Sequence, residues 1–210
     1  MAIRSGIYGA GIAGFAALFA LAMIPAESGN NGFAMYGMAE LVHTNAAGDI
    51  LSSQSVHNQI PDVGEDFLIT SIFNTAIADP DVTIDTICIT GLNDNVINED
   101  FSSYSAPNDY RAPGITASEN TPCLRYDAPT YTAGDGILTV GPLEYVGDTN
   151  LAAGQSINSI IVCHEGNNNL AHCNAGPDRI FAITDVTNTV VNDGDVVSIT
   201  YTFNVVSDDA

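Results

Sequence analysis

Beyond residue 32 nearly every segment of the chain reads as strand punctuated by turn residues, and the strongest signal is alternation of apolar and polar positions with a period of two. The clearest run is Val196 to Val206: Val197, Ile199, Tyr201, Phe203 and Val205 fall on one face, and Ser198, Thr200, Thr202 and Asn204 on the other. That is the pattern of a half-buried strand, and the turn residues Asn192-Asp193-Gly194-Asp195 introduce it. The same reading predicts strands near Phe33–His43, Ile50–His57, Phe67–Ala76, Val82–Gly91, Gly136–Val146, Ile157–His164 and Ile180–Val186. Ala46-Ala47-Gly48-Asp49 is the predicted tip between the first two. No amphipathic helix of useful length is predicted in this part. Strands at this spacing predict an all-β fold, a two-sheet sandwich of immunoglobulin-like or jelly-roll type. Asn93 to Thr121 is rich in Asn, Asp, Ser and Pro without a period and reads as a long surface excursion.

The N-terminus follows another rule. From Ile7 to Ile24 no charge occurs; Arg4 precedes the stretch and Pro25-Ala26-Glu27 follows it. A positive start, an apolar run and small residues at its end predict an export signal with cleavage after Ala26. Two other readings of the segment stand beside this one. An uncleaved helix of roughly 27 Å nearly spans a bilayer and would serve as an anchor. Alternatively, Gly6, Gly9, Gly11 and Gly14 suit close helix packing in a retained assembly helix. The expected organisation is residues 1–26 as signal or anchor helix, 27–45 as a flexible arm, and 46–210 as the sandwich. The expected location is extracellular, with membrane contact only through residues 7–24 if they are retained.

Charge narrows the partners. The chain carries 25 Asp and Glu against four Arg and no Lys, a formal charge of −21. No basic patch can be assembled to release counterions from phosphates, so nucleic acid is excluded as a partner. The acids are scattered among Val, Ile and Thr, as on a folded surface rather than in a disordered tail. Such a surface collects divalent cations. Asp94, Asn95, Asn98 and Asp100 are the best hard-ion candidates, with Asp79, Asp81 and Asp85 as a second cluster. Neither matches the EF-hand loop, and calcium is the one cofactor these acids admit.

Four cysteines, Cys88, Cys123, Cys163 and Cys173, are an even count in a chain expected to be exported, which predicts two disulfides. Of the three pairings, Cys163 with Cys173 closes the polar loop HEGNNNLAH, and Cys88 with Cys123 ties down the excursion. Cys163-His164 and His172-Cys173 also offer thiolates and imidazoles, but their spacing matches no common zinc pattern. His43 and His57, near the ends of the first hairpin, read as surface or packing residues. The chain contains no nucleophile elbow, no H-E-x-x-H and no P-loop; G-x-G-x-x-G spacing occurs only inside the apolar N-terminus, with no strand before it. No catalytic role is expected.

The order of parts, a signal, a short extended arm and an acidic strand-rich domain with disulfides, resembles exported β-sandwich subunits of archaeal surface filaments. The resemblance implies a homopolymer in which the arm of one subunit completes the sheet of its neighbour, as in donor-strand pili. Phe33 to Val42 (FAMYGMAELV) would be that arm, with Phe33, Met35, Tyr36, Met38, Leu41 and Val42 as its assembly residues. A charge at Met38 or Leu41 is then expected to block assembly while leaving the subunit folded. The same segment also reads as the first strand of its own sandwich. The strands from Ile157 to Val205 are similar as well to the ends of small β domains in virion tail-fibre accessory proteins. A monomeric secreted or anchored binding module is the remaining class.

Overall fold

In the computed structural model the described residues are 33–58, 60–73, 84–92, 100–101, 104–105, 122–126, 130–132, 136–164, 172–173 and 179–207. They form one unit, Phe33–Ser207. The expected signal or anchor helix and residues 27–32 of the expected arm lie outside them. No helix among the described residues is long and apolar enough to cross a membrane.

The strands are β1 (Phe33–Thr44), β2 (Ile50–His57), β3 (Thr86–Thr90), β4 (Tyr104–Ser105), β5 (Cys123–Arg125), β6 (Thr130–Thr132), β7 (Ile137–Val146), β8 (Gln155–His164), β9 (His172–Cys173), β10 (Arg179–Val191) and β11 (Val196–Ser207). One helix, α1 (Asp62–Phe73), lies between β2 and β3. The pairings are antiparallel and build a five-stranded sheet, β2-β1-β11-β7-β6, a four-stranded sheet, β10-β8-β3-β5, and a small β4-β9 ladder. The fold is all-β, with two sheets closed over a common core.

Alternation decides what enters that core. On the five-stranded sheet Ala39, Leu41, Val197, Ile199, Tyr201, Phe203, Val140, Leu143 and Tyr145 point inward and are buried. Ile87, Ile89, Ile160 and Val162 answer them from the four-stranded sheet. Tyr145 reaches across and donates from its hydroxyl to the carbonyl of Ile87 at 2.6 Å, so its polar tip is satisfied inside the core. Gly37 leaves room where a Cβ would collide with the Tyr201 hydroxyl and the Asn58 side chain.

Irregularities shape both sheets. Pairing slips between Ile180 and Ala182, so that Phe181 is an extra residue on β10 and turns inward beside Ala182. A second slip sets Gly141-Pro142 of β7 opposite Thr200, and Gly141 takes a φ of 106° that a side chain would disfavour.

The segment Phe67–Ala76, expected as a strand, is helical as far as Phe73. The run FLITSIF is apolar and β-branched, but Pro61 precedes it and Asp62 and Glu65 occupy the first turn. These are helix-start signals: the carbonyl of Pro61 accepts from the amides of Gly64 and Glu65, and the acids oppose the helix dipole. Gly64 lets the helix approach the Phe181 carbonyl on β10, Phe67 enters the core, and Val63 packs against a second apolar cluster that contains the cysteines. Part of the expected arm lies among the described residues. Phe33–Thr44 is an interior strand of its own chain's sheet, hydrogen-bonded to β11 on one side and β2 on the other.

Candidate functional site: the β1 strand and its slot

Two features of the sandwich are candidates for function: the slot that holds β1, and the sulfur cluster on the outer face of the four-stranded sheet. The slot lies between β2 and β11, with Leu41 opposite Ile199 and Gln54, and Ala39 opposite Tyr201 and Val56. Of the assembly residues expected from sequence, Leu41 alone is fully buried; Tyr36, Met38 and Val42 are half-buried on the outer face, and Met35 is 38% exposed. The reason is the pleat: residues an even number apart share a face, so Leu41 goes inward with Ala39, and Met38 outward with Glu40. The Phe33 side chain is outside the described set.

Polar contacts on the outer face tie β1 to its neighbours. Asn204 donates to the Tyr36 hydroxyl at 2.7 Å, and Ser55 donates to the Met38 sulfur at 3.0 Å. The turn after β1 is organised by Asn45, whose Oδ1 accepts from the amides of Ala47 and Asp49, both at 2.9 Å. On β2, Gln54 spans the gap between the sheets. Its Oε1 accepts from the Thr187 amide at 2.8 Å, and its Nε2 donates to the Thr189 hydroxyl at 3.0 Å and the Thr187 carbonyl at 3.2 Å. An amide side chain thus substitutes for a strand pairing between β2 and β10. A lone Gln gives no periodic signal from which sequence reasoning could have found it.

His43 and Asp195 lock the far end of β1. Both are 5% exposed, and Nε2 of His43 lies 3.3 Å from Oδ2 of Asp195. The same carboxylate oxygen accepts from the backbone amide of Asn192 at 2.9 Å and its side-chain amide at 3.1 Å. The Asn192 amide holds the Asp195 carboxyl below its ordinary 3.8; burial opposes this, while the Asn192 side chain and His43 reinforce it. A depressed folded value means that the stabilisation is present above the unfolded carboxylate pKa and is lost as pH falls through the folded one. We therefore expect Asp195→Asn to flatten the acid limb of a urea-midpoint profile below about pH 4 relative to the wild type. Parallel acid limbs for the two proteins would contradict this.

The cysteines form two bridges, Cys88–Cys123 and Cys163–Cys173. Cys88 and Cys123 face each other directly across β3 and β5. Their neighbours Ile89 and Pro122 carry the ladder hydrogen bond at 2.7 Å, so the cysteines occupy the closer, non-hydrogen-bonded pair. All four are fully buried beneath Leu92, Phe101, Ile161, Ile180 and Ile183. This second core covers the outer face, which is why every position of β3 is buried.

Of the expected cation ligands, Asp94, Asn95 and Asn98 lie outside the described residues, and Asp100 is an exposed turn residue. In the second acid cluster Asp79 and Asp81 are likewise outside, while Asp85 is buried and accepts from Arg125 Nε at 2.8 Å. His57 is exposed at the end of β2, and His164 is buried. No protein-family model, curated protein or solved structure matches the chain.

Proposed function

We propose that the chain is a non-catalytic structural subunit of an extracellular filament or appendage, a homopolymer in which neighbouring copies exchange β1. The observation that carries this reading is the place of β1. It follows the apolar N-terminal segment in sequence after the short spacer 25–32 and fills an interior slot, not an edge, with a core face that includes Ala39 and Leu41. A strand with these contacts can be supplied by its own chain or by a neighbour with the same pairings. The turn at Asn45–Asp49 is the hinge: closed, it returns the chain into β2 of the same subunit; opened, it hands β1 to the next. In this reading the sandwich is of immunoglobulin or jelly-roll type, its first and last long strands paired in the middle of one sheet. At a charge of −21, copies repel until salt or a divalent cation screens them, so polymerisation should rise with ionic strength.

A cross-link tests the exchange. Met38 and Thr202 are direct partners across β1 and β11, half-buried on the face remote from the native sulfurs. The double variant Met38→Cys/Thr202→Cys is assembled, oxidised and run on a denaturing, non-reducing gel. Strand exchange predicts a ladder of covalent multimers, because the two cysteines of each bridge come from different chains. A polymer that dissolves into cross-linked monomers, or a chain that stays monomeric at every salt and calcium concentration, would reject the proposal.

A further inference from the structure

The two bridges lie against each other. Cys88 faces Cys123 on one side, Cys163 is one diagonal step away on β8, and β9 brings Cys173 onto the same face. The sulfurs of Cys88, Cys163 and Cys173 lie within 4.8 Å of one another, and the non-bonded pair Cys88 and Cys173 is 3.2 Å apart. We infer that the four cysteines are a single thiol–disulfide exchange site, in which a thiolate freed from either bridge attacks the other and moves the cross-link to Cys88–Cys173.

The electron balance is simple. A phosphine or dithiol that reduces Cys163–Cys173 by two electrons leaves thiols on both residues. The Cys173 thiolate then attacks Cys88 Sγ: the Cys88–Cys173 bond forms, the Cys88–Cys123 bond breaks, and the electron pair leaves on Cys123, which takes up a proton. If Cys88–Cys123 is reduced first, the Cys88 thiolate attacks Cys173 Sγ and Cys163 leaves. Both routes end on one isomer, with Cys88 bonded to Cys173 and thiols on Cys123 and Cys163. No further oxidant or reductant is needed after the first step.

Burial favours this internal route. All four sulfurs are fully buried, so a thiolate formed there meets the neighbouring bridge more readily than a dissolved thiol. The apolar surroundings disfavour the thiolate, so exchange accelerates with rising pH. The structural consequence is specific. The cross-link leaves the edge strand β5 and joins β3 to β9, which relaxes the hold on β5 in response to a two-electron reductant.

The test uses the full chain with limiting phosphine, an acid quench, alkylation and peptide mapping. The inference expects two-thiol chains in which Cys88 is linked to Cys173 and both Cys123 and Cys163 are alkylated. Two-thiol chains that keep only Cys88–Cys123 or Cys163–Cys173 would overturn it. Cys163→Ser needs no reductant: alkylation should divide between Cys173 and Cys123, whereas Cys88→Ser, lacking the central sulfur, should be alkylated at Cys123 alone. If folded Cys163→Ser is alkylated at Cys173 only, the inference is wrong even where partial reduction yields no two-thiol chains.

Discussion

Leu41→Asp is expected to prevent the domain from folding, and Met38→Asp is expected to leave it folded. The two positions are close on β1, yet the pleat separates their fates. Leu41 is fully buried between Ile199 and Gln54, whereas Met38 sits half-exposed beside Ser55 and opposite Thr202. Replacing Leu41 forfeits an apolar side chain worth roughly 2–5 kcal/mol in a core. It also places a carboxylate where desolvation costs several kcal/mol more unless the group is neutralised. Domains are stable by only about 5–15 kcal/mol, so the combined loss consumes most or all of the margin. Soluble yield and the strand signal in circular dichroism should collapse for Leu41→Asp and persist for Met38→Asp. Equal, cooperative melting of both variants would show that β1 is not seated as described. The outcome also bears on assembly: because Leu41 belongs to the subunit's own core, its loss removes the monomer along with the polymer. The informative assembly variants are therefore those on the outer face.

How much of this was legible in the sequence depended on whether a segment's environment is periodic. In β11 one face meets the core and the other does not, so the alternation marks it plainly; β2, without a buried position, still runs over the predicted Ile50–His57. β3 is harder, because the sulfur cluster buries its second face and erases the alternation. The strands β4, β5, β6 and β9 span two or three residues, too short for any period, and exist through their partners. The helix was hidden by its composition, since a short apolar, β-branched run does not distinguish strand from helix by periodicity. The signals at Pro61, Asp62 and Glu65 were present but outweighed by FLITSIF. Cysteine number and spacing point to two bridges, but their contact depends on Thr86 pairing with Cys163, a register set by residues far apart in the chain. The clasp from Gln54 and the lock at His43 and Asp195 are likewise products of tertiary pairing.

Phe181→Ala should produce the second large effect, through the bulge that no propensity scale marks. The extra residue on β10 turns Phe181 into the core, where it is 1% exposed and meets three rings edge-on. Phe203 is 5.1 Å away between centroids, and Phe67 and Tyr201 are each 6.3 Å away. Phe67 comes from α1, Tyr201 and Phe203 from β11, so one ring joins the helix, the four-stranded sheet and the five-stranded sheet. Truncation leaves a cavity and costs about 3–5 kcal/mol, and the fixed backbone of a bulge limits how far the neighbours can collapse. For a domain the size of Phe33–Ser207 that corresponds to a fall in Tm of roughly 6–20 °C. Val190→Ala on the same strand, 46% exposed, should change Tm by little and serves as the control. A fall of only a few degrees for Phe181→Ala would mean that the bulge is free to slip and rebury another side chain. In that case β10, rather than β1, would be the adjustable strand of the sandwich.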